Sequence, residues 1–319
     1  MTNKQKALAA ITACVLFWGF SFISIKIAVA VFPPMTLGAL RFALALAFLF
    51  FIKKKMAPAE KIAKKDIPML AGAGLTGVTL YFFFENNGVS LIPASEASII
   101  IGAIPVLTLI AGGIGTKITM YKKRGPVTAE RETGENISGG SSIFRRVILP
   151  GAGALISLTG VALVAGVSFA LRGAVTGYMF MAGACVSWVT YSFLTRRLFS
   201  GHSRIFIVFW QSLAGFIGFL PFACIDFLNS SWQMPGLPVW GHVVFLGICC
   251  SAMGYWFYAL ALEVLGVSTS SLFINFIPVV SAIGGYFILG ERLSPLQLFG
   301  AALVLAGVYL AMAAPGKTD

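Results

Sequence analysis

The sequence predicts an all-α integral membrane protein whose ten transmembrane helices form two inverted repeats of five. Three observations carry that prediction: a composition too apolar for a water-soluble domain, ten apolar runs of membrane-crossing length, and an internal duplication with an odd number of runs in each copy. Of the 319 residues, 58% are hydrophobic and 11% charged, with a mean hydropathy of +0.90. A soluble domain carries ~25% charged residues, so the class is set before any motif is read.

The runs fall at residues 7–31, 33–52, 67–88, 93–115, 147–167, 173–193, 205–228, 239–262, 267–289 and 296–314. A helix rises 1.5 Å per residue and a hydrocarbon core is ~30 Å thick, so about 20 residues suffice to cross. The first run follows Lys4 and Lys6 and is too long for the apolar core of a cleavable signal peptide. Phe32-Pro33-Pro34 turns the chain into the second, because Pro cannot continue a helix and restricts the residue before it. The second ends at Lys53-Lys54-Lys55, the third follows Lys61, Lys64 and Lys65, and Leu91-Ile92-Pro93 forces another tight reversal into the fourth. Residues 117–146 show no apolar periodicity and read as a basic cytoplasmic loop. Runs five to nine follow, and Gly290-Glu291-Arg292 makes a hairpin between the ninth and tenth. The chain thus divides into residues 1–116 (helices one to four), the insertion 117–146, helix five at 147–167, and a second repeat at 173–314.

The net charge of +12 invites a nucleic-acid reading, which the placement of the charges removes. Nineteen of the 23 Lys and Arg residues lie in segments 1–6, 53–66, 117–146, 196–204 and beyond 314, all on one face if the chain crosses ten times from an inside N-terminus. This is the positive-inside pattern of a multi-pass protein of the cytoplasmic membrane with both termini in the cytoplasm. Anionic lipid at that face is the expected partner of the lysine groups, and nucleic acid is not needed. The five cysteines lie inside apolar runs without metal-ligand spacing and read as small buried hydrophobes. The sequence sets no oligomeric state.

The duplication appears on superposing the halves. Trp18 and Lys26 fall on Trp188 and Arg196 at an offset of 170, Ser95, Ser98 and Pro105-Val106 on Ser268, Ser271 and Pro278-Val279 at 173, and Gly153 and Gly160 on Gly300 and Gly307 at 147. Five crossings per copy put the second copy into the bilayer from the opposite side. The shorter last offset marks the insertion in the first copy.

Enzymatic readings find no carrier. Gly72-Ala73-Gly74-Leu75-Thr76-Gly77 matches a dinucleotide fingerprint only in letters, since it lies within an apolar run. Ser21 has no nearby general base in sequence, the two histidines being His202 and His242, and neither a phosphate-binding loop nor a zinc motif occurs. No cofactor or metal is expected.

The candidate functional residues are the polar and aromatic side chains inside the runs. An ionisable group in hydrocarbon costs ~3 kcal/mol or more, so Lys26, Arg41, Glu85 and Glu96 should face the bundle interior or an aqueous cavity. They can equally neutralise one another as structural ion pairs, and Glu96 can instead cap the fourth helix. Tyr81 lies one turn before Glu85 on the same face, with Asn86 following. Trp18 with Ser21, and Trp188 with Tyr191, share helix faces, Tyr258 matches Glu85 in the repeat, and Ser98, Ser271 and Asn275 line up with the Pro105 and Pro278 faces. Pro278 should bend its helix. The set reads as cavity walls, against the plainer reading of interfacial aromatic packing.

The ordered set Ser268 to Ser271, Pro278-Val279, Gly290-Glu291-Arg292, Gly300 and Gly307 resembles the end of a repeat in the EamA-type, ten-helix branch of the drug/metabolite transporter superfamily. The resemblance covers nearly the whole chain except 117–146, where the first-copy Glu-Arg turn is missing. It implies a central cavity between helices one, three, four, six, eight and nine, and a secondary transporter of amino-acid-like or drug-like solutes that works by alternating access, often as an exporter. A membrane scaffold or assembly protein without an aqueous cavity is the alternative.

Overall fold

The computed structural model describes residues 2–108, 110–111, 149–166, 174–229 and 234–312; the loop expected at 117–146 lies outside the described residues. Regular structure among the described residues is helical throughout. In chain order it comprises α1 (Asn3–Val29), α2 (Pro34–Met56), α3 (Lys64–Leu91), α4 (Ala94–Thr108), α5 (Leu149–Gly166), α6 (Ala174–Leu198), α7 (Arg204–Asn229), α8 (Leu237–Leu265), α9 (Ile277–Leu289) and α10 (Pro295–Met312). Five of these, α1, α2, α3, α7 and α8, are each long and apolar enough to cross a bilayer.

Local chemistry sets the ends. Thr2 and Gln5 close a capping box on α1, and Pro33 and Pro34 open α2, whose last turn carries Lys53, Lys54 and Lys55 where the helix dipole favours cations. Gly290 takes a left-handed φ of 69° after α9, a conformation that glycine adopts without a Cβ penalty, and Glu291 N–H then bonds back to the Gly285 carbonyl at 3.0 Å.

Two irregularities recur at the repeat offset. Residues Leu75–Leu80 of α3 and Phe245–Gly254 of α8 are π-helical, which frees backbone carbonyls from the regular ladder. The Gly77 carbonyl accepts from the Tyr255 hydroxyl at 2.7 Å, and the Cys250 carbonyl, 173 residues on, accepts from Trp18 Nε1 at 3.0 Å. Likewise α4 is interrupted at Gly102-Ala103 and the helix ending at Ile274 is interrupted at Asn275-Phe276, each just ahead of a proline. Pro278 therefore sits in the first turn of a fresh helix, where its missing N–H costs nothing, and does not bend a continuous one as its sequence setting suggests. Helical geometry runs on from Tyr255 to Ile274, yet both residues line one small cavity. A straight helix of that length would hold them about 30 Å apart, so the chain folds back between them.

The packing units are not the two halves of the sequence. Helix α1 packs on α8 and α9, whereas α6 packs on α3 and α4, so each unit takes one helix from the other half, and α4 meets α9 across the boundary between the units. Glycine contacts repeat with the same exchange. A Cβ on Gly74 would meet the Gln211 carbonyl at 2.5 Å and the Ala214 Cβ at 2.7 Å, and one on Gly247 would meet the Arg41 carbonyl and the Leu44 Cβ, both at 2.8 Å.

Helices α5 and α10 pack on each other along their length. Gly160 faces Gly300 and Gly307 faces Gly153, so closely that a Cβ added to Gly160 or to Gly307 would lie 2.5 Å from the facing carbonyl. Small residues of this kind let helix backbones touch in lipid. Gly300→Leu should force the pair apart at an overpacking cost of about 1–3 kcal/mol; the expected result is a lower thermal unfolding midpoint in detergent, read by size-exclusion of heated samples, with Leu298→Ala, an exposed position, unaffected.

Candidate functional site

Where the two packing units meet, they enclose a cavity of about 30 Å³, room for roughly two waters. Its walls pair residues at the repeat offsets: Trp18 with Trp188, Phe82 with Tyr255, Ile101 with Ile274, and Ile104 with Ile277. The two tryptophan rings touch edge-to-face at 5.4 Å, Tyr81 approaches Trp188 at 4.9 Å, and Tyr255 lies 5.8 Å from Trp18. The rings make an apolar wall of fixed shape.

The charged groups do not follow that pairing, because Arg41 and Glu85 both come from the first half of the chain, and Gln211 and Tyr258 stand at the corresponding offsets in the second. Arg41 is 1% exposed; its Nε donates to Ser251 Oγ at 2.9 Å and its guanidinium lies 4.1 Å from the centre of the Phe82 ring. Its Nη1 has no hydrogen-bond partner. Glu85 Oε1 accepts from the Tyr81 hydroxyl at 2.7 Å, while its Oε2 is also buried and without a partner. A buried charged group left short of hydrogen bonds costs more than the ~1–3 kcal/mol of a neutral one. Among the described residues no ion pair joins Arg41 to Glu85, so one cavity presents an unsatisfied donor and an unsatisfied acceptor of opposite charge.

Of the residues singled out from the sequence, Trp18, Ser21, Arg41, Tyr81, Glu85 and Trp188 line this cavity. Tyr191 and Tyr258 stand behind the walls, with rings 5.0 and 5.9 Å from Trp188. Asn86 faces α2, its amide donating to the Pro34 carbonyl at 2.9 Å, and Ser98 bonds back to the Ser95 carbonyl within α4. Asn275 is buried beside Ile274, its Oδ1 without a partner. The Ser271 side chain lies outside the described residues. Sequence reasoning missed Phe22, Phe82, Tyr255 and the four isoleucines of the wall, Ile101, Ile104, Ile274 and Ile277; the 173-residue pairing of all but Phe22 is a signal present in the sequence, but one that apolar residues, common in every run, do not make conspicuous.

Lys26 and Glu96 lie elsewhere. Lys26 Nζ donates to the carbonyls of Val89, Ser90 and Ile92 at 2.8, 3.3 and 2.9 Å, at the end of α3. Glu96 does not cap α4; it accepts from the Tyr178 hydroxyl and, at 2.5 Å, from Gln297 Nε2. The orphan amides of α4 are taken by Glu291, whose oxygens accept from Ala94 N at 2.8 Å, Ser95 N at 3.0 Å and Ser95 Oγ at 2.6 Å.

The chain is similar over nearly its full length to several known proteins. An uncharacterised transporter of Archaeoglobus fulgidus is 29% identical, covering 93% of this chain and 95% of its own. A protein of Streptantibioticus cattleyicolor named "Probable terminal-alkyne amino-acid exporter" is 26% identical, with 96% and 93% covered. One of Escherichia coli named "Probable amino-acid metabolite efflux pump" is 25% identical, with 97% and 95% covered. A crystal structure that is 20% identical superposes with a TM-score of 0.62 over 97% of this chain and 98% of that one, which shows a shared fold. The model of the EamA-like transporter family matches residues 5–125 and 175–313. With that match over most of its length, the chain belongs to the EamA-like transporter family, multi-pass membrane transporters and not enzymes.

Proposed function

We propose that the protein is a secondary transporter that exports a small amino-acid-like or drug-like solute across the cytoplasmic membrane by alternating access. In this reading the chain crosses ten times as two inverted five-helix repeats with both termini and the 117–146 loop in the cytoplasm. The unit α1/α8/α9 rocks against α3/α4/α6 about the substrate. The observation that carries the reading is the cavity itself: the unpartnered Arg41 Nη1 and Glu85 Oε2 suit the carboxylate and the ammonium of one zwitterion, and Trp18, Tyr81 and Trp188 suit its apolar part. The names of the bacterial relatives, an amino-acid exporter and an amino-acid efflux pump, support the same class. A scaffold would have no use for two unsatisfied charges in one cavity.

Purified protein in liposomes, challenged with amino acids, organic cations and nucleobases with and without a pH gradient, tests the proposal. The expected result is saturable flux of amino acids, with its dependence on the gradient reporting coupling. Absence of flux for every class in protein that remains folded would favour the scaffold.

A further inference from the structure

We infer that Lys26 and Glu291 are the gate of the mouth at the α3–α4 turn, holding the two packing units together there until the cycle opens it. The argument begins with helix ends. Most of the last carbonyls of α3 and the first amides of α4 have no partners within their own helices, and the short turn Ile92-Pro93 serves few of them, the Ile92 N–H reaching the Gly88 carbonyl at 3.0 Å. Both sets are supplied by the opposite unit. Lys26, from the last turn of α1, places its ammonium on three carbonyls at the negative end of α3. Glu291, just beyond α9, places both carboxylate oxygens on the positive end of α4, with the Ser95 hydroxyl as a third donor. Each charge has the sign that the helix dipole at its site favours.

The two grips sit on adjoining sides of one turn, and no third element of their own unit is needed to place them. Gly290 ends α9 with its positive φ and sends Glu291 back toward α4. Ser281 of α9 adds a weaker contact to the Ala94 carbonyl at 3.4 Å. Separating the units at this mouth must break every one of these bonds and expose the helix ends to water, whereas separating them at the opposite mouth leaves all of them intact. The gate thus acts on one mouth only. This inference uses the proposed alternation of the two units, but not the identity of the substrate.

Spin-label distance measurement tests it in protein whose five native cysteines are replaced by Ala. Nitroxides at Leu91→Cys and Ile288→Cys, both exposed positions at the gated mouth, report the separation of α3 from α9. Lys26→Met and Glu291→Gln should each raise the ratio of the long-distance to the short-distance population by about tenfold or more, the effect of losing hydrogen bonds to a charged group. Lys26→Arg, which keeps a cationic donor, should retain most of the parental distribution, an outcome that loss of bulk packing would not predict. Unchanged distributions in folded Lys26→Met and Glu291→Gln would overturn the gate; if Lys26→Met does not fold, Glu291→Gln, which keeps the side-chain shape, decides alone. Flux is measured on the same samples. Altered distances without transport of any solute would leave the gate standing and count against the transport reading, while transport with unaltered distances would do the reverse.

Discussion

Flux through Glu85→Gln is expected to fall by about ten- to a hundredfold, and further if the residue also exchanges a proton, with the protein still folded and inserted. The variant keeps the volume of the side chain and an acceptor for the Tyr81 hydroxyl, so the 2.7 Å contact inside α3 can persist. It removes the charge at Oε2, the buried atom of this cavity-lining residue that has no partner. A charged hydrogen bond formed only with substrate is worth ~1.5–3 kcal/mol, or roughly ten- to hundredfold, and loss of proton exchange at the same atom would add to it. Flux measured as a function of pH separates the two contributions. If Glu85 exchanges a proton during the cycle, the pH dependence of the parent disappears in the variant; if it serves only as a fixed charge for the substrate ammonium, the profile keeps its shape at lower amplitude. Parental flux, affinity and pH profile in Glu85→Gln would leave the glutamate as a polar packing group.

Arg41→Met is expected to have an effect of similar size and a different signature. Methionine fills most of the volume and can keep contact with Phe82, over which the guanidinium now lies at 4.1 Å. It leaves Ser251 Oγ without its donor, at a stability cost of about 1–3 kcal/mol. Against a zwitterion, the loss should appear mainly as weaker binding of solutes that carry a carboxylate. Decarboxylated amines of the same shape should be moved by the variant about as well as by the parent. Competition assays with amino acid and matching amine pairs measure this directly, and equal losses for both members of each pair would contradict a carboxylate site at Arg41. Arg41→Lys should recover only part of the affinity, since a point charge cannot both hold Ser251 and reach the cavity as the fork does.

The all-helical, membrane character of the chain was legible because lipid imposes strong rules on sequence. Apolar length and proline at the reversals act locally, so the helices among the described residues could be read one run at a time. The cavity was half legible. Glu85, Arg41 and the two tryptophans stand out because polar or bulky groups deep in an apolar run need a reason. Asn86, Ser98 and Lys26 stand out for the same cause, but their polar atoms find partners outside the cavity: an amide to the Pro34 carbonyl, a hydroxyl returned to its own helix, an ammonium on a helix end. A sequence shows that a polar group needs a partner and not which partner it finds. The exchange of α1 and α6 between the halves was invisible for a related reason, since packing partners far apart in sequence leave no local pattern.

The π-helical turns of α3 and α8 bear on how such a site can evolve. The hydroxyl of Tyr255 and the indole of Trp18 are moored to the Gly77 and Cys250 carbonyls. A main-chain oxygen belongs to every residue type, so the mooring does not depend on the identity of the side chain at 250, provided the extra residue of each turn is retained; at 77 only glycine fits, because a Cβ there would lie 2.1 Å from the Tyr191 ring. Descendants can therefore exchange the wall residues one at a time, drifting from one solute to another, while the two aromatic anchors stay in register. In this molecule the heritable feature is a count of residues per turn, and a single-residue deletion there would do more to the lineage than most changes in the lining.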